Sequence, residues 1–221
     1  MNALLAAFLT VVSVRTIPPA AFSPASAPAA QVVPLSLVVE DGSAWNEPGR
    51  LEGVLGKGSA IFGRCGVSLG ETQVVTARWS PAALKLLNDE NPYKAPPQSA
   101  VLADPAIPAR RPVAFLFGPS SVASTAKAYN LKTVKDFETR WPEAARMLNT
   151  FWITFDQETR RKPDLGPGYS VFAHELTHLL GNLPHTPEYP NLMTDAEGPN
   201  AKSGDLTVEQ CAEVRKLYGL P

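Results

Sequence analysis

Histidine and cysteine are the scarce residues of this chain, three and two respectively among 221. So few cysteines exclude a multi-disulfide scaffold and a four-thiolate metal cluster. Excess charge of one sign is also missing: 20 Lys+Arg against 21 Asp+Glu leave a formal net charge of −1. That balance gives no electrostatic reason to expect nucleic acid or an anionic membrane surface as a partner. Calcium-loop patterns and internal repeats of 20 to 50 residues are absent as well. No apolar run is long enough for a membrane-spanning helix. The N-terminal run Ala3 to Val14 has twelve residues, which rise about 18 Å as a helix against a hydrocarbon core of roughly 30 Å.

That run carries no charge and ends at Arg15, which suits the apolar region of a secretory signal peptide. No cysteine follows it to take a lipid. Ala25-Ser26-Ala27 and Ala27-Pro28-Ala29 are the two candidate cleavage sites, inside a Pro/Ala/Ser-rich stretch that reads as a spacer. The expectation is a signal peptide and spacer over residues 1–29, one folded domain over 30–221, and export to a periplasm or the medium. No stable membrane anchor remains after cleavage.

Within the domain, 44% apolar and 19% charged residues are enough to build a sizeable core. Val32 to Glu40 reads as a strand closed by Asp41-Gly42, and Leu51 to Cys65 repeats apolar residues at helical spacing. Val67 to Trp79 suits a strand, and Ser80-Pro81 opens a short helix to about Asn88. Asn91 to Pro112 holds six Pro and reads as loop. Val113 to Phe117 and Phe151 to Phe155 are continuous apolar runs that read as buried strands. Ser121 to Asn149 reads as helical or irregular. Thr207-x-x-Gln210 is a capping box that opens a last helix, Val208 to Leu217. Strands alternating with helices predict an α/β (α+β) domain with a mixed sheet and a loop-rich C-terminal third.

All three histidines fall within twelve consecutive residues: His174, His178 and His185. His174 and His178 are four apart, so on a helix both imidazoles leave one face, a turn from each other. Two nitrogens so placed can reach one zinc ion. Glu175 lies beside the first ligand, where its carboxylate can address a water on the ion without itself being a ligand. Phe172, Leu176, Leu179 and Leu180 seat the helix in a core. Gly181 is expected to adopt left-handed geometry, end the helix and swing the chain so that His185 completes a tripod.

His174-Glu175-x-x-His178-x-x-Gly181 followed by His185 resembles the metzincin clan of zinc metallopeptidases, with the third His one residue later than the clan's spacing because Pro184 stands at the usual place. Asn191-Leu192-Met193 looks like the clan's Met-turn, a hydrophobic base beneath the metal. The resemblance is specific over about Val171 to Asp195. It implies a metzincin-like zincin fold with a mixed twisted sheet, an active-site helix and a loop-rich C-terminal subdomain. It also implies one catalytic Zn2+ on His174, His178 and His185, and a peptide or protein substrate lying along a strand edge. On this reading the protein is a secreted zinc endopeptidase, in which zinc-bound water attacks the peptide bond with Glu175 as general base. The alternatives are a non-catalytic exported zinc-containing peptide-binding module and a zinc amidase acting on peptidoglycan or a small amide.

The two cysteines admit two uses. Arg64-Cys65-Gly66-Val67 partly resembles the cysteine switch of matrix-metalloproteinase propeptides, although Gly63 and Ser68-Leu69 depart from that pattern. In an exported chain with an even count, a Cys65–Cys211 disulfide is the simpler expectation.

Overall fold

Alternation along the central strands decides how the sheet is covered. In the computed structural model, which describes residues 9–22, 31–87, 112–119, 126–129, 145, 147–159, 165–166, 168–188, 190–195 and 201–217, six strands form one mixed sheet. They are β1 (Leu9–Ile17), β2 (Gln31–Glu40), β3 (Val67–Trp79), β4 (Val113–Phe117), β5 (Ala126–Tyr129) and β6 (Thr150–Thr154), in spatial order β1-β3-β2-β4-β6-β5. The four inner strands run parallel, and each edge strand, β1 and β5, is antiparallel to its neighbour. Buried parallel strands need apolar residues on both faces, which is why β4 and β6 read as unbroken apolar runs.

Leu35, Leu37 and Val39 of β2, Ala114 and Leu116 of β4, and Phe151 and Ile153 of β6 face one core. Two helices fill that face: α1 (Arg50–Gly63), through Leu51, Leu55 and Phe62, and α4 (Val171–Leu180), through Phe172, Leu176 and Leu180. The residues between them, Val38, Val113, Phe115, Phe117 and Trp152, point to the opposite face with Trp79 and Met147. There the short helix α2 (Pro81–Leu87) contributes Ala83. A one-turn helix, α3 (Phe155–Thr159), follows β6, and α5 (Val208–Val214) closes the described chain.

Pro34 lies in β2, one of the two central strands, and has no N–H to give to a ladder. The register of β2 against β3 slips between Val33 and Leu35, which removes Pro34 from the ladder. Gly70 lies opposite, where a Cβ would come within 2.8 Å of Val32 Cγ1 and 3.3 Å of the Val33 carbonyl. The bulge is therefore built from both strands.

Three elements differ from the sequence reading. Leu9–Ile17, inside the stretch read as a signal peptide and spacer, is an edge strand paired with β3 from Leu9↔Trp79 to Ile17↔Thr72. Its β-branched residues suit the long open edge of β3, and Leu9 and Ile17 are buried at its two ends while the seven residues between are exposed. β5 lies where helix or irregular chain was expected; Ala-Lys-Ala-Tyr has little strand preference, and pairing with the edge of β6 supplies what propensity does not. Phe155 begins α3 rather than ending the preceding strand. The predicted loop Asn91 to Pro112 falls outside the described residues except Pro112. No helix among the described residues is long and apolar enough to cross a membrane.

Candidate metal centre

The helix α4 is fixed at its start by two side chains. The Ser170 hydroxyl accepts the Ala173 N–H at 3.2 Å, and Glu158 of α3 accepts the Phe172 N–H at 2.8 Å through Oε2. These are two of the N–H groups that a helix start leaves without a partner. Lys57 of α1 stands 3.7 Å from the other Glu158 oxygen. Burial nonetheless raises the Glu158 carboxyl above its ordinary value, against the hydrogen bond from Phe172 and the Lys57 charge. With its start capped and its apolar face in the core, α4 holds His174 and His178 one turn apart.

The helix ends at Gly181, whose N–H donates to the Thr177 carbonyl at 3.0 Å. The expectation of a left-handed glycine is not met: Gly181 has φ −102° and ψ −2°, and Asn182 takes the left-handed position at φ 49°. Gly181 is small for another reason. A Cβ there would lie 3.0 Å from Leu183 Cγ and Cδ1 and 3.2 Å from the Val214 nitrogen. Asparagine tolerates the left-handed region better than most residues, so the turn is made one residue later than the motif suggested.

Past that turn, Leu183 and His185 return to the helix. The Leu183 carbonyl accepts His178 Nδ1–H at 2.6 Å, and the Leu192 carbonyl accepts His174 Nδ1–H at 2.7 Å. A carbonyl can only accept, so both Nδ1 atoms carry the proton and both Nε2 atoms present a lone pair. Each of these Nε2 atoms faces His185 Nε2, at 3.1 Å for His174 and 3.3 Å for His178. Nitrogens held about 2.0–2.1 Å from a tetrahedral ion are about 3.3 Å apart, so the two spacings to His185 suit one such ion, and the three ligand atoms all lie within 4.8 Å of one another. A single proton on His185 could satisfy only one of the two lone pairs facing it, whereas a cation between the rings satisfies all three. The three His could therefore hold a metal ion.

Electrostatics agree with that use. Burial, and next the neighbouring His178, pull His174 down to about 3 from an ordinary 6.5. Burial pulls His178 down to about 4. Both rings are neutral at pH 7, the form a metal requires. Glu175 is buried to 7% exposure, and desolvation pushes its carboxyl up to about 8. His185 is exposed, so the centre opens to solvent on that side.

His185 is held through its neighbour. The Thr186 N–H donates to the Met193 carbonyl at 2.9 Å, and the Asp195 N–H donates to the Thr186 carbonyl at 3.1 Å. Asn191 to Thr194 thus forms a turn that carries a carbonyl for His174 and a ladder for the His185 segment. Met193 within it is fully buried in the same core as α4. The Gly181–His185 link thus carries the Leu183 carbonyl that orients His178.

Cys65, just past α1, and Cys211, in α5, form a disulfide across 146 residues, and no free cysteine remains. Cys65 is thus not a switch ligand for the centre. The capping box of α5 has both arms, Gln210 N–H to Thr207 Oγ1 at 3.2 Å and Thr207 N–H to Gln210 Oε1 at 2.9 Å. Sequence reasoning found the three His and Glu175 but missed the supporting groups. Ser170 carried a legible signal, as a cap residue one place before the helix. Glu158 and the two carbonyls carried none. Searches against models of known protein families and against curated proteins find no match.

Proposed function

We propose that this protein is an exported zinc-dependent endopeptidase of metzincin-like fold. The observation that carries the reading is the convergence of three Nε2 atoms, two of them on rings whose Nδ1 is tied to a carbonyl, next to the buried Glu175 carboxyl on the helix that carries His174 and His178. A purely structural site has no need of Glu175 there. The disulfide suits an oxidising compartment, and so an exported chain.

A divalent ion on His174, His178 and His185 would supply Lewis acidity to water and to a scissile carbonyl at the open side of the centre. Glu175 takes the proton of the attacking water and delivers it to the leaving amine. Burial raises its carboxyl to about 8 in the metal-free protein, and the charge of a bound divalent ion would favour the ionised form that accepts the proton. Met193 forms the apolar floor on which the His185 segment rests. β5 pairs on one side only among the described residues and lies against α4, so it is the edge along which an extended peptide would add as a further strand.

The test is cleavage of an unbiased peptide library by wild type and Glu175→Ala, both loaded with zinc. Cleavage by wild type alone supports the reading. Metal in both proteins with cleavage by neither would leave a zinc-containing binding module as the better account.

A further inference from the structure

Next to the metal centre lies a buried pair of side-chain amides that touches no ligand. Asn191 Nδ2 donates to Gln210 Oε1 at 2.8 Å, and Gln210 Nε2 donates back to Asn191 Oδ1 at 3.2 Å. Each oxygen accepts a second bond from backbone: Asn191 Oδ1 from the Met193 N–H at 2.8 Å, and Gln210 Oε1 from the Thr207 N–H at 2.9 Å. Both oxygens are saturated, and the residues are only 2% and 9% exposed. Burying two amides where two apolar chains could pack gains little stability; what it gains is a unique geometry.

That geometry ends at a ligand. Between Asn191 and Met193, both held by the pair, sits Leu192, whose carbonyl fixes the Nδ1–H tautomer of His174. The Leu192 N–H is held as well, by the Asp205 carbonyl at 2.6 Å. On the far side, Gln210 precedes Cys211, which the disulfide ties to Cys65. The last helix therefore reaches His174 through three links, Gln210, Asn191 and Leu192, and the disulfide anchors that helix to Cys65.

We propose that Asn191 and Gln210 are positioning residues that set the affinity of the metal centre by holding the Leu192 carbonyl on His174. This rests on the reading of the three histidines as a metal site. Groups that orient a ligating imidazole are worth about 10–100-fold in metal affinity.

The experiment measures the zinc dissociation constant by competition with a chromophoric chelator, and the visible spectrum of the cobalt form. The proteins are wild type, Gln210→Leu and Val38→Ala. Val38 of β2 is fully buried on the sheet face opposite α4 and has no part in the pair, so its truncation reports stability alone. The result expected is zinc bound about 10–100-fold more weakly by Gln210→Leu, with a shifted cobalt spectrum, and wild-type affinity and spectrum in Val38→Ala. Equal affinity in wild type and Gln210→Leu would overturn the proposal, as would equal weakening in both variants. Should Gln210→Leu not fold, Gln210→Glu keeps the acceptor and loses the donor, and weakening without loss of Tm is then required of it. A wild type that binds no metal overturns the metal reading itself, which separates the two failures.

Discussion

Removing the Cys65–Cys211 cross-link tests how much of this fold depends on tying its first helix to its last. The bond closes a loop spanning a sequence separation of 146. In the chain-entropy picture a loop of that size restricts the unfolded ensemble by about 5 kcal/mol, and measured losses on removing such a bond run at about 2–5 kcal/mol. Native contacts around the bond remain when it is cut: Arg215 still donates to the Cys65 carbonyl, and Arg64 still reaches Gly204 and Asp205. Cys65 is buried, so alanine rather than serine is the replacement that adds no unpaired hydroxyl. The assay is urea unfolding of the metal-free double variant Cys65→Ala/Cys211→Ala against wild type. A loss of about 2–5 kcal/mol is expected, with a larger denaturant slope because the unfolded chain is no longer looped. A loss under about 1 kcal/mol with an unchanged slope would refute the loop-closure reasoning.

Three further outcomes follow. Gly181→Ala places a Cβ 3.0 Å from the Leu183 side chain; it should move the carbonyl that orients His178 and weaken zinc by about tenfold or more, read by chelator competition. In the metal-free protein, the lowered His174 and His178 contribute stability that is full above 6.5 and lost as pH falls through about 4 and then about 3. The raised Glu175 acts oppositely, its contribution full below 4.5 and lost as pH rises to about 8, so the urea midpoint should peak at roughly pH 6 to 7; a midpoint flat from pH 4 to 8 contradicts these assignments. Deleting residues 1–29 removes β1, whose residues are mostly exposed, and should lower Tm while leaving metal affinity unchanged. An unfolded product would make β1 integral to the domain.

Much of the frame was legible because single residues carried strong signals. The unbroken run Val113 to Phe117 could only be a buried strand or a short piece of buried helix, and flanking Pro112 and Gly118 settled which. Ser80-Pro81 and Thr207-x-x-Gln210 marked helix starts by chemistry that the structure repeats bond for bond. β5 was not legible, because a four-residue edge strand owes its conformation to a neighbour rather than to its own side chains. The histidine triad could be read from spacing, since a helical repeat of four is a property of the chain itself. Its supports could not: a backbone carbonyl has no letter in a sequence, and Asn191 and Gln210 lie nineteen positions apart. Gly181 was read for the wrong freedom, its φ, when what the site uses is its missing side chain.

Elemental analysis of the purified protein tests the metal centre most directly, comparing wild type, Glu175→Ala and His185→Ala after dialysis against trace zinc. One zinc per chain in the first two and loss of most of it from His185→Ala is the predicted result. Wild type without zinc, or equal zinc in all three, would contradict a centre built on His174, His178 and His185.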